Sequence, residues 1–189
     1  VVSSPAVEDA RPAIGLLPSS DPQVTAALVA GATRALDESR AAGGPDLALV
    51  VGAPAAQWAS VAAETVRLAC DERVVALVAP PERSLAHPAA QAATRCGVPV
   101  VSTSPAASVA AAGSTWVVVV AAPGDAETAD PAAARTAGYD AARVVVEAVR
   151  RAGLSREAVR AAARDGTPVT VSAGRIRFDR LGRREPAPN

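Results

Sequence analysis

The sequence predicts a doubly wound α/β domain built on a mostly parallel sheet of five strands, with helices on both faces. Three observations carry that expectation. Short, continuous apolar runs recur along the chain, as strands buried on both faces require. Segments with apolar residues at helical spacing separate them. Residues 74–105, VVALVAPPERSLAHPAAQAATRCGVPVVSTSP, read as strand, loop, helix, strand and loop. That is a βαβ unit, whose strands lie parallel and whose following loops open at the same sheet edge. Ligands of open α/β sheets bind outside those carboxyl ends. The loops APPER (79–83) and STSP (102–105) are therefore the first candidates for function.

Taken in order, residues 1–11 form a short polar lead expected to be mobile. Pro12 to Leu17 gives the first strand. Asp21 followed by Pro22 starts a helix: the carboxylate is an N-cap acceptor, and the proline ring's missing N–H costs nothing in the first turn. Val24, Leu28, Val29, Ala32 and Leu36 make its apolar face, and Gly43-Gly44 stops it. Leu47 to Val51 reads as a buried strand. Gly52-Ala53-Pro54 then turns the chain into a helix whose inward stripe is Trp58, Val61, Ala62, Thr65 and Leu68, ending near Cys70. The central unit supplies strands at Val74 to Val78 and Val98 to Val101, with a helix at Ser84 to Cys96 between them. A helical turn over Ala106 to Gly113 leads to the fifth strand, Thr115 to Val120. Gly124 to Ala134 is acidic, small and proline-containing, and reads as a loop. A helix follows over Thr136 to Arg151, with Ala142, Val145, Val146 and Val149 on its apolar side. Ser155 caps another through Ala163. Pro168 to Ser172 and Arg175 to Phe178 alternate apolar and polar residues around Ala173-Gly174, as a β-ribbon does. Residues 185–189 are expected to be a disordered tail.

A chain of 189 residues fits one domain able to bury about two-thirds of its unfolded surface. Aromatic residues make up 2% of it and methionine is absent, so the core must rest on Ala, Val and Leu. Formal net charge is zero. No basic stripe interleaved with aromatics precedes the C-terminal arginines, so no nucleic-acid partner is expected. Arg180, Arg183 and Arg184 read as part of a solvated tail. The longest apolar run, within Thr115 to Pro123, is far below the ~20 residues a membrane span needs. The opening VVSSPAVEDARP looks like what remains after a leader.

Several stretches together resemble the type I periplasmic solute-binding proteins of ABC transporters, in the branched-chain amino-acid-binding branch. They are IGLLPSSD, ESRAAGGPDLALVV, VVALVAP, GVPVVSTSP, GYDAARVVVEAVRRAG and RIRFDRLGRR. They cover most of residues 12–184, and their order and spacing matter more than any one of them. In that family two α/β lobes close over a solute, and nearly all of the second lobe lies between the fifth strand and the GYDAA-like helix. Here about a dozen residues fill that interval. The resemblance thus implies one lobe spanning 12–184: a first segment 12–122, a loop 123–134 in place of the second lobe, and a return segment 135–184.

The resemblance also implies where a ligand would sit. The family's loops after the third and fourth strands hold the solute's carboxylate and ammonium through Ser or Thr hydroxyls and backbone groups. On this sequence the first loop places Glu82 and Arg83 where small hydroxyl residues are usual, with Ser84 one step on. The second keeps Ser102 and Ser104, with Thr103 between them also in the candidate set, but Ala106 stands near the expected Thr. Ser19 and Ser20, after the first strand, complete the candidate ligand-binding set. Arg83 and Ser84 at a helix N-terminus suit an anion; alternatively, Ser84 is a helix cap and Glu82 and Arg83 are solvated. A micromolar solute corresponds to about 8 kcal/mol, so one lobe supplying half the contacts leaves roughly 4, which is millimolar.

Cys70 and Cys96 end the second and third helices. In a sheet ordered 2-1-3-4-5 those helices lie side by side on one face with level ends. A disulfide closing this loop of about 26 residues would contribute roughly 3 kcal/mol and suit an oxidising compartment. Two buried thiols are the alternative.

Signals for catalysis are weak. His87, the one histidine, sits in SLAHPAA on the third helix, with no GxSxG elbow in the chain and no metal-ligand spacing around it. LLPSSDP stands where a dinucleotide fold would carry GxGxxG. The leading expectation is a non-enzymatic, cofactor-free, periplasmic or secreted solute-binding-like lobe that meets a small polar or anionic ligand. The alternative is an interaction module docking on another extracytoplasmic protein or on a second copy through the same edge; a small α/β enzyme is the third reading.

Overall fold

The computed structural model describes residues 11–55, 57–112, 114–122, 124–125 and 130–187. Most of the expected lead 1–11, the end of the expected tail, and Pro123 and residues 126–129 of the expected loop lie outside the described residues. Five strands, β1 (Ala13–Leu16), β2 (Ala48–Val51), β3 (Ala76–Ala79), β4 (Val100–Ser102) and β5 (Val117–Val119), form one parallel sheet in the order β2-β1-β3-β4-β5. This is the doubly wound fold class expected from the sequence.

Helices cover both faces because the strands alternate two apolar sets. Ile14, Leu16, Ala76, Val78, Val101 and Val118 face α1 (Pro22–Ala41), α5 (Pro131–Ala152) and α6 (Arg156–Ala163). Ala13, Leu77, Ala79, Val100, Val117 and Val119 face α2 (Trp58–Cys70), α3 (Arg83–Arg95) and α4 (Ala107–Ala112). A period of two with apolar residues at both phases is what a doubly covered sheet needs. β2 is the exception. As an edge strand it is only partly covered, and Val51 is 41% exposed, so the expectation of a buried strand there does not hold.

The return segment docks on the first half through α1 and α5. Gly31 and Gly138 sit at their crossing: a Cβ on Gly31 would lie 1.9 Å from the Arg135 carbonyl oxygen, and one on Gly138 would lie 2.3 Å from that of Leu28. Backbone thus meets backbone, which only glycine permits. Tyr139 locks the crossing from outside, donating to Glu38 Oε2 at 2.7 Å while the Arg34 guanidinium lies 5.2 Å from its ring centre.

Three local expectations are corrected. α5 begins at Pro131, not Thr136, because the Asp130 carboxylate accepts from the Ala132 N–H at 3.0 Å and Pro131 fits the first turn. Trp58 is not part of an inward stripe; it opens α2 and is 55% exposed. Of the C-terminal arginines, Arg180 and Arg183 are exposed as expected, but the segment is an ordered part of the fold and Arg184 is half-buried. β6 (Val169–Val171), β7 (Gly174–Phe178) and β8 (Arg184–Pro186) make a three-stranded antiparallel sheet. β8 therefore takes in Glu185 and Pro186, which were expected in the disordered tail. Arg183 pairs with Asp179 at 2.8 Å, Arg184 donates to the Val120 carbonyl at 3.0 Å, and Val119 N–H donates to the Gly182 carbonyl at 2.7 Å. These bonds cover the open edge of β5. Among the described residues no helix is long and apolar enough to cross a membrane.

Candidate functional site

Three loops leave the carboxyl ends of β1, β3 and β4 side by side. After β1, Asp21 caps α1 by accepting from the Gln23 N–H at 2.7 Å. Ser19 is buried; its Oγ accepts from the Asp21 N–H at 3.0 Å and donates its own proton to Glu82 Oε1. Ser20 is exposed, and both its N–H (3.0 Å) and its hydroxyl (2.9 Å) donate to that same oxygen.

Glu82 occupies the N-cap position of α3, where its main-chain carbonyl accepts from the Leu85 and Ala86 N–H groups. Its side chain does not cap its own helix. It reaches across to the β1 loop and concentrates three donors on one oxygen. The other, Oε2, is buried with no hydrogen-bond partner among the described residues. Of the alternative reading, only the solvated Arg83 holds. Ser84 lies inside α3 rather than at its cap, and Glu82 is engaged rather than solvated.

The β4 loop uses its hydroxyls on itself. Ser102 and Ser104 are fully buried and Thr103 is 3% exposed. Ser102 Oγ accepts from the Ser104 N–H at 3.1 Å, and Ser104 Oγ accepts from the Ala106 N–H at 3.4 Å. Thr103 donates both its N–H (3.1 Å) and its hydroxyl (2.9 Å) to the Ala79 carbonyl, tying the β4 loop to the end of β3. Of the eight expected ligand-binding residues, Ser19, Ser20 and Glu82 are thus brought into one cluster. Ser102, Thr103 and Ser104 build the neighbouring loop from inside. Arg83 and Ser84 are exposed and look into an open groove beside Trp58, His87 and Ser108.

A cleft of about 420 Å³ opens next to these loops, lined by Pro81, Thr103 and Val120 together with Asp125, Asp130, Asp140 and Arg184. Each carboxylate already holds a backbone N–H: Asp125 that of Ala122, Asp130 that of Ala132, and Asp140, 3% exposed, that of Ser172. Sequence reasoning missed these carboxylates. The Asp130-Pro131 pair carries the same helix-start signal as Asp21-Pro22 and could have revealed one of them.

Cys70 and Cys96 are not bridged in the structure; both are free thiols. Cys70 ends α2, exposed, and Cys96 is the half-buried C-cap of α3. Burial, with the neighbouring Cys70 second, pushes the Cys96 thiol above its ordinary pKa. Cys96 is thus held toward the protonated, less reactive form.

No protein-family model matches the sequence, and no curated protein does. Solved structures do match. The leucine-binding protein LivK of Thermotoga maritima aligns over 90% of this chain and 91% of its own, at 13% identity and TM-score 0.74. An ABC-transporter substrate-binding protein of Desulfitobacterium hafniense aligns over 93% and 95%, at 14% identity and TM-score 0.74. The branched-chain amino-acid transporter substrate-binding protein LivJ of Streptococcus pneumoniae, crystallised with isoleucine, is 27% identical over 57% of this chain, at TM-score 0.51. That match takes in 33% of LivJ, so the chain spans about a third of it. The chain therefore has the fold of ABC-transporter solute-binding proteins.

Proposed function

We propose that this protein is a non-catalytic, extracytoplasmic solute-binding-like lobe that meets a small polar ligand weakly at the carboxyl ends of β1, β3 and β4. The observation that carries the reading is the convergence of those three loops beside an open cleft, on a sheet whose order matches the expected fold. Only eleven residues, 120–130, separate β5 from α5, where the resembling family carries its second lobe. One lobe supplies about half of the usual contacts, which corresponds to roughly 4 kcal/mol and millimolar affinity. Because Glu82 stands among the loop hydroxyls, a ligand that presents donors fits better than an acidic one.

A second reading is an interaction module that docks on an extracytoplasmic protein or a second copy through the same edge. It draws support from the burial of Ser102 and Ser104, whose hydroxyls are turned away from any solute.

Amide NMR titration of the full chain with amino acids, small amines and aromatic carboxylates separates the two. The first reading expects saturable, millimolar shifts confined to residues 18–21, 80–84 and 102–106. No response there to any compound, together with concentration-dependent self-association in sedimentation, would favour the second.

A further inference from the structure

We infer that the Ser19-Ser20 turn is a carboxylate-binding site and that the chain fills it with its own Glu82, which closes the site to acidic solutes. The inference rests on the proposed solute-binding reading and adds to it which ligand class the β1 loop takes or refuses.

Three donors from two consecutive residues, the Ser19 hydroxyl, the Ser20 N–H and the Ser20 hydroxyl, converge on Glu82 Oε1. The donors are oriented before the carboxylate arrives. Ser19 Oγ accepts from the Asp21 N–H, which leaves its proton to point outward, and Ser19 N–H is held by Thr25 Oγ1 at 3.0 Å. Hydrogen bonds to an ionised oxygen are roughly twice as strong as neutral ones. The turn also lies just before the first turn of the 20-residue helix α1, whose dipole favours negative charge. Asp21 places its own negative charge at that end, so the three donors rather than the dipole carry the site.

The carboxylate gains little elsewhere. Among the described residues its second oxygen is buried without a partner, a condition costly enough in a folded protein to need a reason. Positioning of Oε1 supplies that reason: the glutamate is held 62 residues away in sequence from Ser20, and among the described residues its side chain hydrogen-bonds only to this turn. Glu82 therefore acts as a tethered ligand. An untethered carboxylate must compete with a group whose ordering entropy was already lost on folding, so the wild-type loop excludes acids and leaves donor-bearing solutes as the class that fits beside it.

Chemical rescue tests this. Glu82→Ala removes the tethered carboxylate and leaves the donors. In thermal unfolding, the variant should melt below wild type and recover with sodium acetate, saturably and in the millimolar range, while sodium chloride at equal ionic strength has no such effect. Wild type and Glu82→Gln, which retains an acceptor in place, should not respond to acetate. Adding Ser20→Gly and Ser19→Ala to Glu82→Ala should abolish the rescue. If Glu82→Ala does not fold alone, refolding in acetate should succeed where chloride fails. Equal responses to acetate and chloride, in either format, overturn the inference. The rescue reads only the Ser19-Ser20 donors, so it can fail while the wild-type protein still shows a solute response at the strand ends, and the reverse holds as well.

Discussion

Gly31→Ala is the sharpest test of how the return segment joins the first half of the chain. In an exposed helix the substitution stabilises by about 1 kcal/mol, because alanine is the better helix former. Here the new methyl would lie 1.9 Å from the Arg135 carbonyl oxygen and 2.8 Å from the Tyr139 nitrogen, against an ordinary contact of 3.4 Å or more. Both neighbours are backbone atoms of α5, so no side chain can swing aside. The helices must separate by about 1.5 Å along that contact, loosening the layer made by Leu28, Ala32, Ala141 and Val145. Overpacking of this kind costs about 1–3 kcal/mol and occasionally more. With rigid backbone on both sides we take the upper end, leaving a net loss of about 2 kcal/mol after the propensity gain, or roughly 4–8 °C in Tm for a domain of this size. The assay is thermal and urea unfolding beside Ala30→Gly, an exposed neighbour on α1 expected to lose about 1 kcal/mol by propensity alone. A Gly31→Ala protein that melts at or above wild type would refute the packing of α5 on α1.

Two further outcomes follow from the same geometry. The Tyr139 hydroxyl holds the Glu38 carboxyl below its usual range, with Arg34 second, and Glu38 in turn raises the tyrosine. The lowered carboxyl contributes stability that is present above its unfolded pKa and lost as pH falls through the folded value; the raised phenol contributes stability present below its unfolded pKa and lost as pH rises through the folded value. In urea midpoints from roughly pH 3 to 11, Tyr139→Phe should flatten the alkaline limb and leave part of the acid limb, which Arg34 maintains at 2.8 Å; an unchanged alkaline limb would count against the Tyr139–Glu38 bond. For the cysteines, the reduced native protein should alkylate at Cys70 readily and at Cys96 slowly near neutral pH, because burial keeps the Cys96 thiol protonated. Incubation with oxidised glutathione should then join the two in one intramolecular disulfide with release of reduced glutathione, detected as loss of both alkylation sites with no glutathione added to the protein mass; persistent double alkylation, or a glutathione held on either thiol, would show that the helix ends do not meet.

Much of this architecture was legible from residue pattern. Asp21-Pro22 set the start of α1, and the strands β3 and β4 lie within or beside their apolar runs. The misreadings share a cause. Trp58 fitted an inward stripe by spacing, but it opens α2 at the rim, where no layer covers it. The C-terminal segment looked like a solvated tail because the partners of its arginines, Asp179 and the carbonyl of Val120, are acceptors that folding brings close. At the candidate site the sequence offered hydroxyls, but not their direction. Ser102 and Ser104 point into their own loop, and Glu82 crosses to a loop more than 60 residues earlier.

The sequence alone determined the fold class, since apolar runs between helical stretches admit few packings other than a parallel sheet covered on both faces. It also determined which loops share the ligand-facing edge, because parallel strands put all of their carboxyl ends on one side. Tertiary structure decided whose donors meet whose acceptors. That choice depends on side-chain directions and on distances between segments far apart in the chain, neither of which a local pattern encodes. For that reason the Ser19, Ser20 and Glu82 cluster, and the glycines that let α5 close onto α1, became visible only when the chain was folded.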